Sequence, residues 1–174
     1  MMRAMERFEI RSATLADVPV LSETVRDGFE GYRAFLPPGW DPPEEEFEEA
    51  RITARLGQED TWCRIAFDGP EPAGHAAFLA AREQTDGHPV IPGLAHLWML
   101  FIRERWWGSG LAPHLLTLAV SEAAGQGYAT MRLFTPAGQA RARAFYEREG
   151  FSTDGVPRWE PMLAFDLVEY RREL

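Results

Sequence analysis

The stretch LWMLFIRERWWGSGLAPHLL, residues 97–116, passes from an apolar strand through a turn with two glycines directly into an apolar helix. Gly108 and Gly110 let the backbone of the turn approach a ligand closely, because glycine has no side chain in the way. The free N–H groups of the first helical turn and the helix dipole attract phosphate oxygens. The stretch therefore predicts an anion site at the start of a helix. An ordinary strand-to-helix turn is the alternative.

Two common nucleotide-binding loops do not fit these letters. A Walker loop needs Gly-Lys-Ser/Thr, which the stretch lacks. A dinucleotide fingerprint needs a third glycine, but Pro113 stands at that position and no long series of parallel βαβ units comes after it. Kinase, ATPase and dinucleotide-binding functions therefore lose support.

Strand and helix patterns flank this stretch on both sides. Apolar runs predict further strands in FEIRSAT, TWCRIAF, AGHAAFLAAREQ, YATMRLFT and a tail containing MLAFDLVEY. Apolar residues at helical spacing predict helices at about residues 14–28, 43–56, 109–124 and 138–149. The order β-α-α-β-β-β-α-β-α-β-β predicts a mixed α/β (α+β) layered fold. A length of 174 residues fits one domain, residues 1–174.

The net charge of the chain limits the kinds of ligand that it is expected to bind. The formal net charge of -9 argues against a nucleic-acid binder, because phosphate binding needs a positive surface. An acidic protein suits a cationic or amine substrate better.

Composition also argues against a membrane span, a metal site and a disulfide. No run approaches the ~20 apolar residues that cross a bilayer, and MMRAMERFEIRS lacks the apolar core of a secretory signal. We therefore expect a cytoplasmic protein. No Cys/His cluster has metal-ligand spacing. The single cysteine, Cys63, lies in a strand pattern, which favours a buried structural thiol over a reactive one.

Two motifs resemble those of a known family. WWGSGLAPHLL resembles motif A of the GNAT acetyltransferases, written Gln/Arg-x-x-Gly-x-Gly/Ala, with Gly110 as the central glycine and Ala112 as the last small residue. Trp107 stands where that motif has Gln or Arg. Downstream, QARARAFYEREGF is similar to the pattern Asn-x-x-Ala-x-x-x-Tyr-x-x-x-Gly-Phe, with Gln139 in place of Asn and Tyr146 at the tyrosine.

The resemblance implies a fold, a co-substrate and a reaction. The GNAT fold is a central, mostly antiparallel twisted sheet of about six or seven strands flanked by about four helices. Acetyl-CoA is the co-substrate, no metal is used, and a primary amine attacks the thioester directly in a ternary complex. The resemblance covers the element order of nearly the whole chain, and its specific letters lie within residues 96–151.

The family pattern also implies roles for individual residues. Tyr146 matches a tyrosine that can protonate the departing sulfur, and a packed aromatic side chain is the alternative. Main-chain groups of the strand are expected to pair with the pantetheine arm. The residues expected to bind the co-substrate are Leu100, Phe101, Ile102, Arg105, Trp107, Gly108, Ser109, Gly110, Leu111, Ala112, Gln139 and Tyr146. The basic residues expected near the adenosine phosphate are Arg103, Arg105, Arg141 and Arg143.

The general base is less well defined by the pattern. His96 stands near the position where many relatives carry a Glu, and an imidazole can accept the amine proton near neutral pH. A hydrogen-bonded structural histidine is the alternative, and water can also relay the proton. His75 is a poorer candidate, and Glu104 is expected at the surface.

The acceptor amine stays open at this stage. The stretch GFEGYRAFLPPGWDPP, residues 28–43, predicts an irregular surface segment. Tyr32, Phe35 and Trp40 are candidate walls of the substrate pocket, with core packing as the alternative. A polyamine, an amino acid, an antibiotic amine and a protein N-terminus all fit.

Other functions and assemblies also stay open. A catalytically idle domain that binds acyl-CoA as a sensor or interaction module would carry the same motifs, and so would a structural protein whose glycine turn binds nothing. A homodimer is compatible with the β-rich termini.

Overall fold

A computed structural model describes residues 7–83 and 88–174. Residues 1–6 and Gln84, which the sequence patterns assign to the N-terminal segment and to the end of a strand, lie outside the described residues. The centre of the fold is a seven-stranded sheet in the order β1-β2-β3-β4-β5-β7-β6. Its strands are β1 (Glu9–Ser12), β2 (Trp62–Asp68), β3 (Glu71–Arg82), β4 (Val90–Ile102), β5 (Thr130–Pro136), β6 (Arg158–Glu160) and β7 (Phe165–Glu173).

Helices pack on both faces of the sheet. They are α1 (Val18–Glu30), α2 (Glu45–Leu56), α3 (Leu111–Gly125) and α4 (Ala140–Arg148). The predicted element order and the mixed α/β class with a mostly antiparallel sheet are confirmed. The predicted start of α3 at Ser109 is wrong, because Gly110 adopts a left-handed conformation and the helix begins at Leu111. Among the described residues, no helix has both the length and the apolar character needed to cross a bilayer.

The central strands contribute to two separate apolar cores, one on each face of the sheet, because successive side chains of a strand point to opposite faces. On one face, Phe78 of β3 and Leu97 of β4 pack with α3 and α4. On the other face, Ala77 of β3 and Met99 of β4 pack with α1 and α2. The predicted burial of Cys63 is confirmed in this second core. One ligand can contact side chains of both cores only where two neighbouring strands separate and leave a gap in the sheet.

The sheet opens between β4 and β5. These neighbours run parallel, and their pairing covers only residues 94–97 of β4 and 130–133 of β5. The pairing of β4 with β3 shifts between Leu97 and Met99, so that Trp98 is an extra residue and forms a β-bulge. A bulge bends its strand. Beyond it, residues 98–102 of β4 have an edge that no strand of the described chain pairs.

The aromatic segment of residues 28–43 is less exposed than its composition predicts. Trp40 is buried, packs beside Phe165 and donates its indole N–H to the carbonyl oxygen of Leu163 at 2.7 Å. Of the two alternatives for Trp40, core packing is therefore the one that the structure bears out, because a large ring whose N–H has a partner gains more in the core than in water.

Gly74 is a point of close approach between β3 and β4. It pairs with Ile102, and a Cβ at Gly74 would lie 2.5 Å from the carbonyl oxygen of Phe101. We expect Gly74→Ala to lower the free energy of unfolding by about 1–3 kcal/mol, because the backbone of β4 must move. Urea denaturation measures the change. In the control Gly31→Ala the new Cβ meets nothing within 4 Å, and an equal loss in both variants would contradict the prediction.

Candidate active site

The glycine turn, residues 107–110, presents unpaired backbone donors at the end of β4. Gly108 (φ 77°) and Gly110 (φ 88°) are left-handed, and a Cβ built on either meets no atom within 4 Å. Within the described residues, the N–H groups of Gly108, Gly110 and Ala112 have no hydrogen-bond acceptor. An anion in front of the turn would accept those bonds and face the positive end of the α3 dipole.

Trp107 connects the glycine turn to β4 and to α4. Its indole N–H donates to the carbonyl oxygen of Ile102, the last residue of β4, at 2.8 Å. The guanidinium of Arg141, at the start of α4, lies 4.0 Å from the centre of the Trp107 ring. That distance is well within the range of a cation–π contact. Trp107 lacks the polar group that Gln or Arg would supply, but it holds a cation beside the same turn.

A cavity of about 880 Å³ is lined by the glycine turn, by β4 and by side chains of both sheet faces. Its size is typical of small-ligand sites. Leu111 and Tyr146 in its wall belong to the α3–α4 core, whereas Phe29 and Phe165 belong to the α1–α2 core. The predicted site residues found in the wall are Tyr32, His96, Leu100, Phe101, Ile102, Trp107, Gly108, Gly110, Leu111, Ala112, Gln139 and Tyr146.

Two residues predicted to bind the co-substrate lie outside the cavity wall. Arg105 forms an ion pair with Glu71 and stacks on Trp106. The hydroxyl of Ser109 donates to the carbonyl oxygen of Trp106 at 2.6 Å and accepts from the N–H of Leu111 at 3.3 Å. Ser109 therefore stabilises the turn through its own backbone contacts, and Arg105 is paired with a carboxylate of β3.

Of the three aromatic residues predicted to wall the substrate pocket, Tyr32 lines the cavity. Phe35 packs on Tyr32 with ring centroids 5.3 Å apart. Trp40 packs on the same ring from the core, at 6.3 Å. Phe35 and Trp40 thus contact the wall through Tyr32.

Tyr146 is buried on α4 and lines the cavity. Its ring packs on Phe151 and Tyr170. Burial, with a smaller contribution from nearby Tyr32, raises the pKa of Tyr146 well above its ordinary value of 10.0. The phenol is therefore protonated at neutral pH and can act as a proton donor.

His96 lies in the cavity wall, whereas His75 is buried in β3, next to Phe101. Burial lowers the pKa of His96 to about 3, and the charges of Arg132, Arg55 and Arg51 also lower it. Burial alone lowers the pKa of His75 to about 3. Both imidazoles are neutral at neutral pH, so they can accept a hydrogen bond, but their protonated forms are disfavoured.

The sequence matches one family over most of its length. Residues 26–151 match the model of the acetyltransferase (GNAT) family. The chain belongs to the GNAT acetyltransferase family. No match to a curated protein was found by sequence.

Solved structures share the GNAT fold with this chain. PaiA N-acetyltransferase from Thermoplasma acidophilum, in complex with coenzyme A, is 17% identical, with 96% of this chain and 99% of that one covered and a TM-score of 0.66. An acetyltransferase from Thermus thermophilus is 22% identical, with 96% and 97% covered and a TM-score of 0.69. Ribosomal-protein-alanine N-acetyltransferase from Brucella melitensis is 20% identical, with 95% and 99% covered and a TM-score of 0.72. These similarities support the GNAT fold.

Six charged residues of this GNAT cavity were not among the predicted site residues: Arg51, Arg55, Arg82, Arg132, Arg148 and Glu160. Arg51, Arg55 and Arg132, called the arginine cluster below, line the cavity and act together on His96. Glu160 of β6 lines it as well. No local signal in the sequence indicates these residues, because they come from five different elements, α2, β3, β5, α4 and β6, and none forms a motif with its neighbours in sequence.

Gly110→Glu should abolish binding of acetyl-CoA at the glycine turn. The new carboxylate would stand at the start of α3 and repel a phosphate, and the left-handed φ adds about 1–2 kcal/mol of backbone strain. Calorimetric titration measures the loss. The control is Gly127→Glu, which has the same charge and a φ of 89° at the other end of α3. Loss of binding in both folded variants would contradict a specific role for the turn.

His96 should remain neutral over the working pH range. Because its pKa is lowered to about 3, its ring signals in NMR spectra should not move between about pH 5 and pH 8. A His96→Asn variant identifies those signals. A titration step with a midpoint near the ordinary value of 6.5 would contradict the prediction and favour His96 as a conventional general base.

Proposed function

We propose that the protein transfers the acetyl group of acetyl-CoA to a primary amine by direct attack, with both reactants held in the cavity at once. The observation that carries this proposal is the early end of the β4–β5 pairing after Leu97. It leaves a passage through the sheet between the glycine turn and the α1–α2 face. Two reactants can enter from opposite faces and meet at the open edge of β4, and such positioning lowers the barrier to reaction.

The glycine turn and β4 suit the two halves of the co-substrate. The free N–H groups of Gly108, Gly110 and Ala112 would hold the pyrophosphate. The unpaired edge of β4 at residues 100–102 offers main-chain groups to the amides of the pantetheine arm. Because these contacts use the backbone, they do not require the Gln or Arg that Trp107 replaces.

Arg141 is the arginine best placed for the further phosphate of the adenosine. The other three predicted there are engaged elsewhere. Arg103 and Arg105 form ion pairs with carboxylates, and Arg143 donates to a tyrosine hydroxyl and to a backbone carbonyl. Arg141 keeps its guanidinium over Trp107 at the glycine turn.

Tyr146 is the proposed acid of the reaction. As the amine nitrogen bonds to the acetyl carbon, the carbon–sulfur bond breaks and the sulfur must gain a proton. The phenol carries that proton at neutral pH, because burial raises the pKa of Tyr146. A neutral thiol is also a better product than a thiolate in a site that excludes water.

His96 and water form the proposed route for the amine proton. The amine must be neutral to attack, so it loses a proton before or during the transfer. The neutral imidazole can accept a hydrogen bond from the amine, but the arginine cluster penalises the imidazolium. We therefore assign His96 to orient the amine through a hydrogen bond, and water to take the proton that the amine loses.

Tyr146→Phe tests the acid role. We expect kcat to fall about a hundredfold or more, because the sulfur loses its proton donor, while calorimetric affinity for acetyl-CoA stays unchanged. Tyr128→Phe is the matched control, since Tyr128 lies outside the cavity wall. Unchanged kcat in Tyr146→Phe would remove the acid role. Coenzyme binding without acetylation of any amine by the wild-type protein would favour the sensor alternative.

A further inference from the structure

The cavity wall carries a charge opposite to that of the whole protein. The formal net charge of the chain is -9. Among the described residues that line the cavity, Glu160 is the one carboxylate. The wall also holds six arginines: Arg51, Arg55, Arg82, Arg132, Arg141 and Arg148. A ligand therefore meets a positive surface once it leaves the acidic exterior.

The arginine cluster lies away from the glycine turn. Arg132 pairs with His96 in the β4–β5 register. Both side chains face α1 and α2, because the residues on either side of them along each strand pack in the α3–α4 core. From His96 to Ile102 the strand rises about 20 Å, at roughly 3.3 Å per residue. The cluster therefore cannot bind the same phosphates as the glycine turn.

Arg132 is the most buried member of the cluster. It is 8% exposed, and its guanidinium donates to the backbone carbonyl of Arg82 at 2.6 Å. Within the described residues, its Nε has no partner. Burial lowers the pKa of Arg132, and the charge of Glu169 offsets only part of that shift, since a guanidinium removed from water is costly unless an anion compensates it. A cation in this state in a ligand cavity suits an anionic ligand.

Arg51 and Arg55 complete the cluster from α2. They stand four residues apart, which places them on one face of the helix. Their guanidiniums lie 5.6 and 4.8 Å from the ring centre of Trp98. Trp98 is the bulge residue of β4, so the irregularity that opens the sheet also supplies the platform for both arginines. The ion pair of Arg51 with Glu48, at 2.7 Å, further fixes its direction.

We propose that the acceptor is a small molecule that carries an oxyanion, a carboxylate or phosphoryl group, as well as its amine, and that the arginine cluster binds this oxyanion. The inference rests on the proposed acetyl transfer. Guanidinium groups bind such oxyanions through paired, charge-assisted hydrogen bonds. With the oxyanion held there, the amine lies beside His96 and points toward the open edge of β4.

This proposal selects among the acceptors that the sequence left open. An amino acid or an aminoalkyl phosphonate has both required groups. A polyamine has no anion, and its charges would be repelled by the cluster. The net charge of the chain favours a purely cationic acceptor, but the charge of the cavity wall, where the acceptor binds, is positive.

Matched acceptors test the proposal on the wild-type protein. A panel of L-amino acids is compared with the amines formed by their decarboxylation, and 2-aminoethylphosphonate is compared with ethylamine. We expect kcat/KM to be about ten- to a hundredfold higher for the anionic member of at least one pair. The two anionic series distinguish a carboxylate from a phosphoryl preference. Equal or faster acetylation of the members that lack the oxyanion would overturn the inference and leave the acetyl transfer standing.

Variants of the cluster test whether it causes the preference. Arg132→Gln removes the charge and Arg132→Lys keeps it. We expect the ratio of kcat/KM between acceptors with and without the oxyanion to fall about tenfold or more in the Gln variant, chiefly through KM, and less in the Lys variant. Arg64→Gln on β2, outside the cavity wall, is the control. If Arg132→Gln fails to fold, Arg55→Gln gives the same readout from α2. An unchanged ratio in folded variants would overturn the role of the cluster.

The acetylation experiments distinguish a failure of this inference from a failure of the proposed function. If the protein binds acetyl-CoA but acetylates no acceptor of either kind, the proposed function and the inference both fail. If it acetylates only amines that lack an oxyanion, the inference fails alone.

Discussion

The hydrogen-bonded ladder between β4 and β5 ends after residues 94–97, and the rest of the site depends on that early end. The bulge at Trp98 bends β4 and leaves its edge unpaired. Because α3 is the crossover from β4 to β5, its N-terminus must follow the free end of β4. The path of the backbone alone therefore brings an open strand edge and a helix N-terminus to the same opening.

Features with a local signal could be predicted from the sequence. The order of strands and helices followed from apolar periodicity, and the glycine turn followed from Gly108 and Gly110 standing between a strand and a helix. The bulge at Trp98 could not be predicted, because it is a property of the register between two strands. The sequence left Trp40 open between a pocket wall and core packing, and its bond to the distant carbonyl of Leu163 favours the core. The arginine cluster could not be predicted, because α2 and β5, which carry it, come together only in the folded chain.

Net charge proved a poor guide to the interior of the cavity. It is a sum over the whole chain, whereas a ligand responds to the charges within a few ångströms of it. His96 illustrates the difference, because it lies in an acidic protein and yet its nearest charged neighbours are arginines that lower its pKa. The position of a residue in a family pattern therefore indicates where it lies, and its surroundings decide what chemistry it can perform.

The contact between Trp107 and Arg141 places a cation from α4 beside the glycine turn. The family pattern has a polar residue at position 107, whereas here an aromatic ring holds a cation that belongs to α4. The two side chains are in direct contact, so their substitutions would show epistasis. A change to Gln or Arg at position 107 would remove the ring on which Arg141 rests, and the residue of the family pattern would not be neutral in this background.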